Sequence, residues 1–352
     1  MLKDKRIVVT GGTGSLGKVL VRRLLTGEAG LPRQITVFSR DEAKQHSMRL
    51  AFQRLRTATD EVIYHNFEQL LAFRIGDVRD LSSVKNALRS ADVVFNAAAL
   101  KQVPSCEYFP FEAVQTNVVG AQNIIEAIRD GQLPVETVVG VSTDKACKPV
   151  NVMGMTKAVQ ERLFVRANLD SDGTRFVCVR YGNVLASRGS VIPLFHEQIR
   201  RGGPVTITTT DMTRFLLSLE QAVDTIFAAL GGGERGETYI PRVPSAKVTD
   251  IAAALIGDQK IKTEVTGIRP GEKVHEILVS EEEAYRTIAR GDYYVIKPML
   301  PELRKDGDAG GTLRKEYSSA DDLMNPEQVG ELLKKHKLMV GDRFVYEEDM
   351  LA

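Results

Sequence analysis

Near its start the chain carries Gly11-Gly12-Thr13-Gly14-Ser15-Leu16-Gly17, set between an apolar run, Arg6–Thr10, and a predicted helix, Ser15–Thr26. Gly11, Gly14 and Gly17 follow G-x-x-G-x-x-G. Glycines allow the tight turn and let a pyrophosphate approach the backbone. The helix that follows offers free N–H groups and the positive end of its dipole. Many turns are Gly-rich, so the strand–loop–helix setting is what turns the motif into a dinucleotide site. Its expected contacts are Gly11, Thr13, Gly14, Ser15, Leu16 and Gly17.

Strand-like and helix-like stretches then alternate. Strands are predicted at Gln34–Phe38, Leu71–Gly76, Asp92–Asn96, Val135–Ser142 and Arg175–Arg180. Helices are predicted over Asp41–Arg56, Pro110–Asp130 and Asn151–Leu169, with a polar insertion at Thr57–Gln69. Continuous Val/Ile runs separated by helices predict a parallel sheet covered on both faces. The expected fold is α/β: a Rossmann doubly wound parallel sheet with a smaller C-terminal α/β substrate-binding domain. Residues 1–183 form the nucleotide unit, joined by a strand and helix from 215–241. Residues 184–352 supply the rest, with helices at Pro193–Arg201, Leu219–Leu230 and Val248–Ile256. Strands are expected at Val205–Thr208, Thr238–Ile240 and Lys262–Val265. Lys305–Gly311 reads as a mobile loop, and Asn325-Pro326 as a helix cap.

Composition narrows the function. At a net charge of +1 the chain has no nucleic-acid footprint. Apolar runs fall short of a membrane span, and Met1-Leu2-Lys3 leads directly into a strand without a signal peptide. Three widely spaced cysteines, Cys106, Cys147 and Cys178, fit reduced thiols in a cytoplasm. No CxxC or HExxH pattern points to a metal.

Further cofactor contacts are expected at strand ends. The second strand ends at Ser39 and Arg40, where an NAD site would place a carboxylate. An arginine fork suits the 2′-phosphate of NADP, which is therefore favoured over NAD; the alternative is a solvated Arg40. Asp77 and Val78 follow the third strand. Ala97 and Ala98 follow the fourth and are small enough for a flat ligand to lie on the backbone. Beyond the fifth strand come Thr143, Asp144 and Lys145. Met153 and Lys157, four residues apart, share one face of the next helix.

Together these segments resemble the extended short-chain dehydrogenase/reductase family. Within it the chain is most similar to the soluble nucleotide-sugar 4,6-dehydratases, typified by UDP-N-acetylglucosamine 4,6-dehydratase. Further matching segments are Ala99–Pro104, Arg180–Val184, Met212–Phe215 and Arg269–Lys273, so the resemblance covers roughly residues 5–280. One departure is marked. The wider family has a proton-transferring tyrosine where this chain has Met153, and methionine transfers no proton. A subgroup of these dehydratases carries methionine there. Gln102 also stands where histidine is usual.

The resemblance implies oxidation at sugar C4, loss of water across C5–C6, and hydride return to C6. Asp144 matches the acid and Lys145 the base. Thr143 would bond the C4 oxygen, and Lys157 would hold the nicotinamide ribose. Lys145, if charged, should depress Asp144, whereas an acid must be protonated. Burial, which raises a carboxyl and lowers a lysine, is the expected resolution. Arg214 and Arg269 would hold the diphosphate, Asn183 the diphosphate or sugar, Lys101 the sugar and Glu272 the nucleotide ribose. A homo-oligomer is implied: a dimer through a four-helix bundle, or a higher assembly. Two alternatives stay open. One is a nucleotide-sugar 4-epimerase, which needs no elimination pair. The other is an NADP-binding sensor or scaffold without turnover, for which Met153 argues.

Overall fold

The computed structural model describes residues 1–54, 61–185, 190–304 and 311–342. The apolar runs form six parallel strands: β1 (Arg6–Thr10), β2 (Gln34–Ser39), β3 (Leu71–Ile75), β4 (Val93–Asn96), β5 (Thr137–Thr143) and β6 (Arg175–Tyr181). Their order is β3-β2-β1-β4-β5-β6, the doubly wound arrangement. Chain order reverses between β1 and β4, so a crevice opens beyond their carboxyl ends. Thr10 pins it: its hydroxyl donates to Asn96 Oδ1 at 2.7 Å and accepts from the Ala98 amide at 3.2 Å.

Helices cover both faces, which is why the strands are built around continuous apolar runs. Helix α1 (Ser15–Thr26), α2 (Glu42–Arg54) and α3 (Glu61–Leu70) bury Leu20, Phe52 and Phe67 against one face. Helix α4 (Leu81–Leu88) and the helices after β4 and β5 bury Leu88, Ile124 and Phe164 against the other. One local expectation is corrected here. The supposed insertion at Thr57–Gln69 is in large part α3, an amphipathic helix whose Phe67 stacks on Phe52 with centroids 5.5 Å apart. Its polar outer face disguised it, and residues 55–60 lie outside the described residues.

The expected helical stretch Pro110–Asp130 is continuous, with one irregularity inside it. Helix α5 (Val103–Tyr108) and α6 (Pro110–Ala113) lead into a π-helical turn, Val114–Val119, before α7 (Gly120–Gly131). Asn117 in that turn accepts from the Leu100 amide at 2.8 Å and donates to the Leu100 carbonyl at 3.0 Å and to Thr156 Oγ1 at 3.0 Å. One extra residue in the turn is the local cost of anchoring the loop after β4, and π-turns concentrate at such functional positions.

Helix α8 (Val152–Asp170) follows β5, and α9 (Val191–Arg200) follows β6. Short strands come next: β7 (Val205–Ile207) and β8 (Thr213–Phe215). The chain then returns to the large sheet through α10 (Leu219–Gly232) and β9 (Thr238–Pro241), which runs parallel to β6. Strand β10 (Ser245–Lys247), α11 (Val248–Ile256), β11 (Thr263–Val265), β12 (Ile277–Val279) and α12 (Glu281–Ala284) follow. A hairpin, β13 (Thr287–Arg290) and β14 (Tyr293–Ile296), then adds two antiparallel strands beside β9. Strand β15 (Tyr317–Ser318) pairs with β12, and α13 (Pro326–Lys335) completes the described chain. Asn325 caps α13 in a reciprocal box with Gln328, with Pro326 at the first helical position. A second core, including Phe195, Ile207, Leu216, Ile251 and Leu333, joins α9, β7, α11 and α13 into a smaller unit beside the crevice. The expected loop at Lys305–Gly311 lies, but for Gly311, outside the described residues.

Candidate active site

A cleft of about 800 Å³ runs from the Gly-rich loop, across the ends of β4 and β5, to the smaller unit. Every cofactor, catalytic and substrate residue expected from the sequence lines it. At one end the wall is backbone. Gly11, at φ +65°, lies so close to the end of β4 that a Cβ would stand 2.8 Å from the Ala98 backbone. A Cβ on Gly17 would stand 2.5 Å from Gly12, so α1 packs directly on the turn. Gly14 is the N-cap of α1, and no side chain caps it. Its first-turn N–H groups therefore face the cleft, which suits a pyrophosphate. Thr13, Ser15 and Leu16 complete this end.

The rim beyond β2 and β3 is charged. Arg40 is exposed and lies 3.8 Å from Asp77. Asp77 is held more closely by Arg79, at 2.8 Å. Partial burial opposes ionisation of Asp77, but Arg79 overrides it and holds the carboxyl below its ordinary value. Val78, Ala97 and Ala98 form the floor between this rim and β4.

The other end is built from side chains. Thr143 closes β5 and caps a 3₁₀ turn, Asp144–Ala146, which turns Asp144 and Lys145 towards α8. Asn151 caps α8 by accepting from the Gly154 amide at 2.8 Å, and donates to the Gly271 carbonyl at 2.8 Å. Gly154 is required here, because a Cβ would stand 2.1 Å from the Lys145 carbonyl. The β5 turn and the start of α8 are thus locked together.

Asp144 is fully buried. Its Oδ1 accepts from Thr143 Oγ1 at 2.8 Å and from Lys145 Nζ at 3.0 Å; its Oδ2 is buried without a partner among the described residues. Lys145 Nζ also lies 3.2 Å from Glu276 Oε1, and Arg214 Nε lies 3.9 Å from that oxygen. Burial raises Asp144 above its ordinary value despite Lys145. The expected resolution therefore holds for the carboxyl but fails for the lysine. Burial alone would depress Lys145, yet Asp144 and Glu276 together outweigh it and hold the ammonium above its ordinary value. Glu276 escaped the sequence reading. Its only signal was a carboxylate a few residues beyond Arg269-Pro270-Gly271-Glu272-Lys273.

Met153 is buried against Cys106, Ala113 and Val103 and borders the cleft. Lys157 donates to Gln160 Oε1 at 2.6 Å, and burial pulls it down to about 8. Arg214 Nη1 donates to the Thr213 and Val274 carbonyls at 2.7 and 3.1 Å, so the side chain is fixed in the wall. Lys101 and Arg269 are exposed at the mouth, and Asn183 is half-buried. Glu272 Oε2 accepts from Thr208 Oγ1 at 3.4 Å.

The profile of a family described as polysaccharide biosynthesis protein matches residues 7–298. The chain belongs to that family. Two similar proteins share its length: one from Methanocaldococcus jannaschii named as an uncharacterized membrane protein, and one from Rickettsia conorii named UDP-glucose 4-epimerase. They are 42% and 41% identical, each over 95% of this chain and 96% of its own. Among solved structures, Pen from Bacillus thuringiensis is 34% identical, covers 96% of this chain and 100% of its own, and superposes with a TM-score of 0.84. At the level of fold alone, a dTDP-glucose 4,6-dehydratase from Streptomyces venezuelae, solved with NAD bound, is 22% identical. It covers 76% of this chain and 86% of its own, with a TM-score of 0.63. Among the described residues of this family member, no helix is long and apolar enough to cross a membrane.

Proposed function

We propose that the protein is a nucleotide-sugar 4,6-dehydratase, acting in the cytoplasm on UDP-N-acetylglucosamine or GDP-N-acetylglucosamine in bacterial glycan biosynthesis. The observation that carries this reading is the buried Asp144–Lys145 pair beside the cleft, an acid–base couple that an elimination needs. When bound, NADP would supply the hydride acceptor for sugar C4 and the hydride donor for C6, with the C4 hydroxyl proton passing to Asp144, Lys145 or water. The uncapped N-terminus of α1 and the glycine turn fit its pyrophosphate, and Ser39 and Arg40 fit a 2′-phosphate. Lys157 holds the nicotinamide ribose. Thr143 orients the C4 oxygen, and Asp144 gives a proton to the departing C6 hydroxyl. Lys145 is the assigned base for the C5 proton; Asp144 and Glu276 favour its ammonium form, so it must first release a proton to solvent. Arg214 and Arg269 face the diphosphate, with Asn183, Lys101 and Glu272 around sugar and nucleotide. The raised Asp144 carboxyl supports the acid role, since a proton donor must hold its proton near neutrality.

The second reading is a 4-epimerase, which the name of the Rickettsia relative favours. Incubating the purified protein with each nucleotide sugar and NADP separates them by mass spectrometry and NMR. Loss of one water supports the dehydratase, and an isomer of unchanged mass supports the epimerase. No product from either sugar sinks both and leaves the NADP-binding sensor. The proposed assembly is a homo-oligomer through α7 and α8. Exposed Phe109, Phe111, Met155 and Val159 on the neighbouring surface support it, and sedimentation tests it.

A further inference from the structure

Asp144, Lys145 and Glu276 form a buried chain of carboxyl, ammonium and carboxyl, with Lys145 Nζ 3.0 Å from one and 3.2 Å from the other. Each acidic side chain offers one oxygen to the ammonium. The second oxygen of each, Asp144 Oδ2 and Glu276 Oε2, is buried without a partner among the described residues. Two carboxylates sharing one ammonium out of water do not both ionise readily, so one of them tends to hold a proton.

The surroundings decide which. Glu276 has Arg214 Nε at 3.9 Å and feels the charge of Lys273, whose ammonium donates to the Cys147 carbonyl at 2.6 Å. Asp144 adds to Lys145 the neutral hydroxyl of Thr143. The charged groups among them come from three segments: the β5 turn, β8 and the loop before β12. Cations gather on Glu276, so its negative charge is the cheaper one to keep. Gly182 packs beside Asp144 Oδ2, with a Cβ position 3.4 Å away, and itself lines the cleft.

We propose that Glu276 is a positioning residue: its carboxylate is the standing counterion of Lys145, and this leaves Asp144 able to hold a proton beside the cleft. The assignment rests on the dehydratase reading only for the use made of that proton. Directions agree with it: Asp144 is raised and Glu276 lowered, the latter by Lys145, Arg214 and Lys273 against its own burial.

The test is carboxyl-¹³C NMR of aspartate- and glutamate-labelled full-length protein, with Asp144→Asn and Glu276→Gln used to assign the two signals. In the unmodified protein Asp144 should titrate above the ordinary carboxyl range and Glu276 below it; the reverse order overturns the proposal without any variant being needed to fold. In Glu276→Gln, Asp144 loses a neighbouring anion and gains sole possession of Lys145. Its titration should fall by about one pH unit or more, and Glu276→Asp should restore it. An unmoved Asp144 signal in folded Glu276→Gln also overturns it. With turnover as a second readout, the pH–rate profile of Glu276→Gln should move to lower pH, because both Asp144 and Lys145 titrate lower without the anion. A residue with a merely structural role would lower the rate without moving the profile. If neither nucleotide sugar is turned over, the dehydratase reading fails while the NMR titration still judges Glu276.

Discussion

The two ends of the cleft are built in opposite ways. The phosphate-loop end is backbone: glycines and an uncapped helix contributed by neighbouring positions in sequence, packed tightly on the end of β4. The acid–base end is side chain: buried charges brought together from β5, β8 and the loop before β12. Backbone donors cannot titrate, so the first end should bind over a wide pH range. The second depends on which group holds each proton, so its performance should follow pH and single charges closely. If this contrast is right, variants at the acid–base end change rate, and variants at the loop end change affinity.

The largest expected effect is at Asp144. Asp144→Asn removes the donated proton while keeping shape, and should lower kcat by about a thousandfold, within the usual range for losing a general acid. Cofactor affinity measured by fluorescence titration should stay within about threefold. Turnover near the unmodified rate would remove Asp144 from the acid role; a matching loss of cofactor binding would break the contrast between the two ends.

Next comes Gly11→Ala. Its φ of +65° and a Cβ position 2.8 Å from the Ala98 backbone leave no room for the methyl group. The strain should weaken NADP binding by about 30- to 100-fold, equivalent to roughly 2–3 kcal/mol. Saturating cofactor should recover most of kcat. Failure to recover would mean that the loop positions the reaction and does not simply bind.

That division also governs what the sequence made legible. The Gly loop, the alternation of strands and helices and the turn residues are local patterns, and local patterns survive in a linear string. The candidate residues Asp144, Lys145 and Lys157 were visible for the same reason, lying on one β-strand end and one helix face. Glu276 was not, because its partners sit in β5 and β8, far away in the chain, and only folding puts its oxygen 3.2 Å from Lys145. The raised lysine follows from that same contact. Helix α3 was hidden by its polar outer face, and the π-turn at Val114–Val119 by a periodicity that continues almost unbroken through it.

A smaller effect concerns Lys157, at the junction of the two ends. Its ammonium is pulled from 10.5 to about 8 by burial. A lysine depressed in the folded state is protonated more readily in the unfolded chain, so charging it opposes folding below about 8, and that penalty fades as pH rises towards 10.5. Lys157→Met should remove this dependence. Between roughly pH 7.5 and 9.5 the stability gain of the variant over the unmodified protein should shrink by about 2 kcal/mol, read by urea unfolding at each pH. Comparing two pH values cancels the constant cost of stranding Gln160. A constant difference would mean that Lys157 stays charged throughout, and the junction would then belong with the charged rim.

The smallest effect tests whether the binding end reads anything beyond a pyrophosphate. Arg40 is exposed and lies 3.8 Å from Asp77, a carboxylate already committed to Arg79, so its guanidinium can turn to a 2′-phosphate at little cost. Arg40→Ala should weaken NADPH by about tenfold, near 1.4 kcal/mol, and leave NADH within about twofold. Salt should erode the NADPH advantage in the unmodified protein and have little left to erode in the variant, because an exposed ion pair is screened. Equal losses for both cofactors would instead assign Arg40 to the shared adenosine half. Backbone would then do all the recognising at this end, and the choice between NAD and NADP would lie elsewhere on the rim, with Ser39 as the next residue to change.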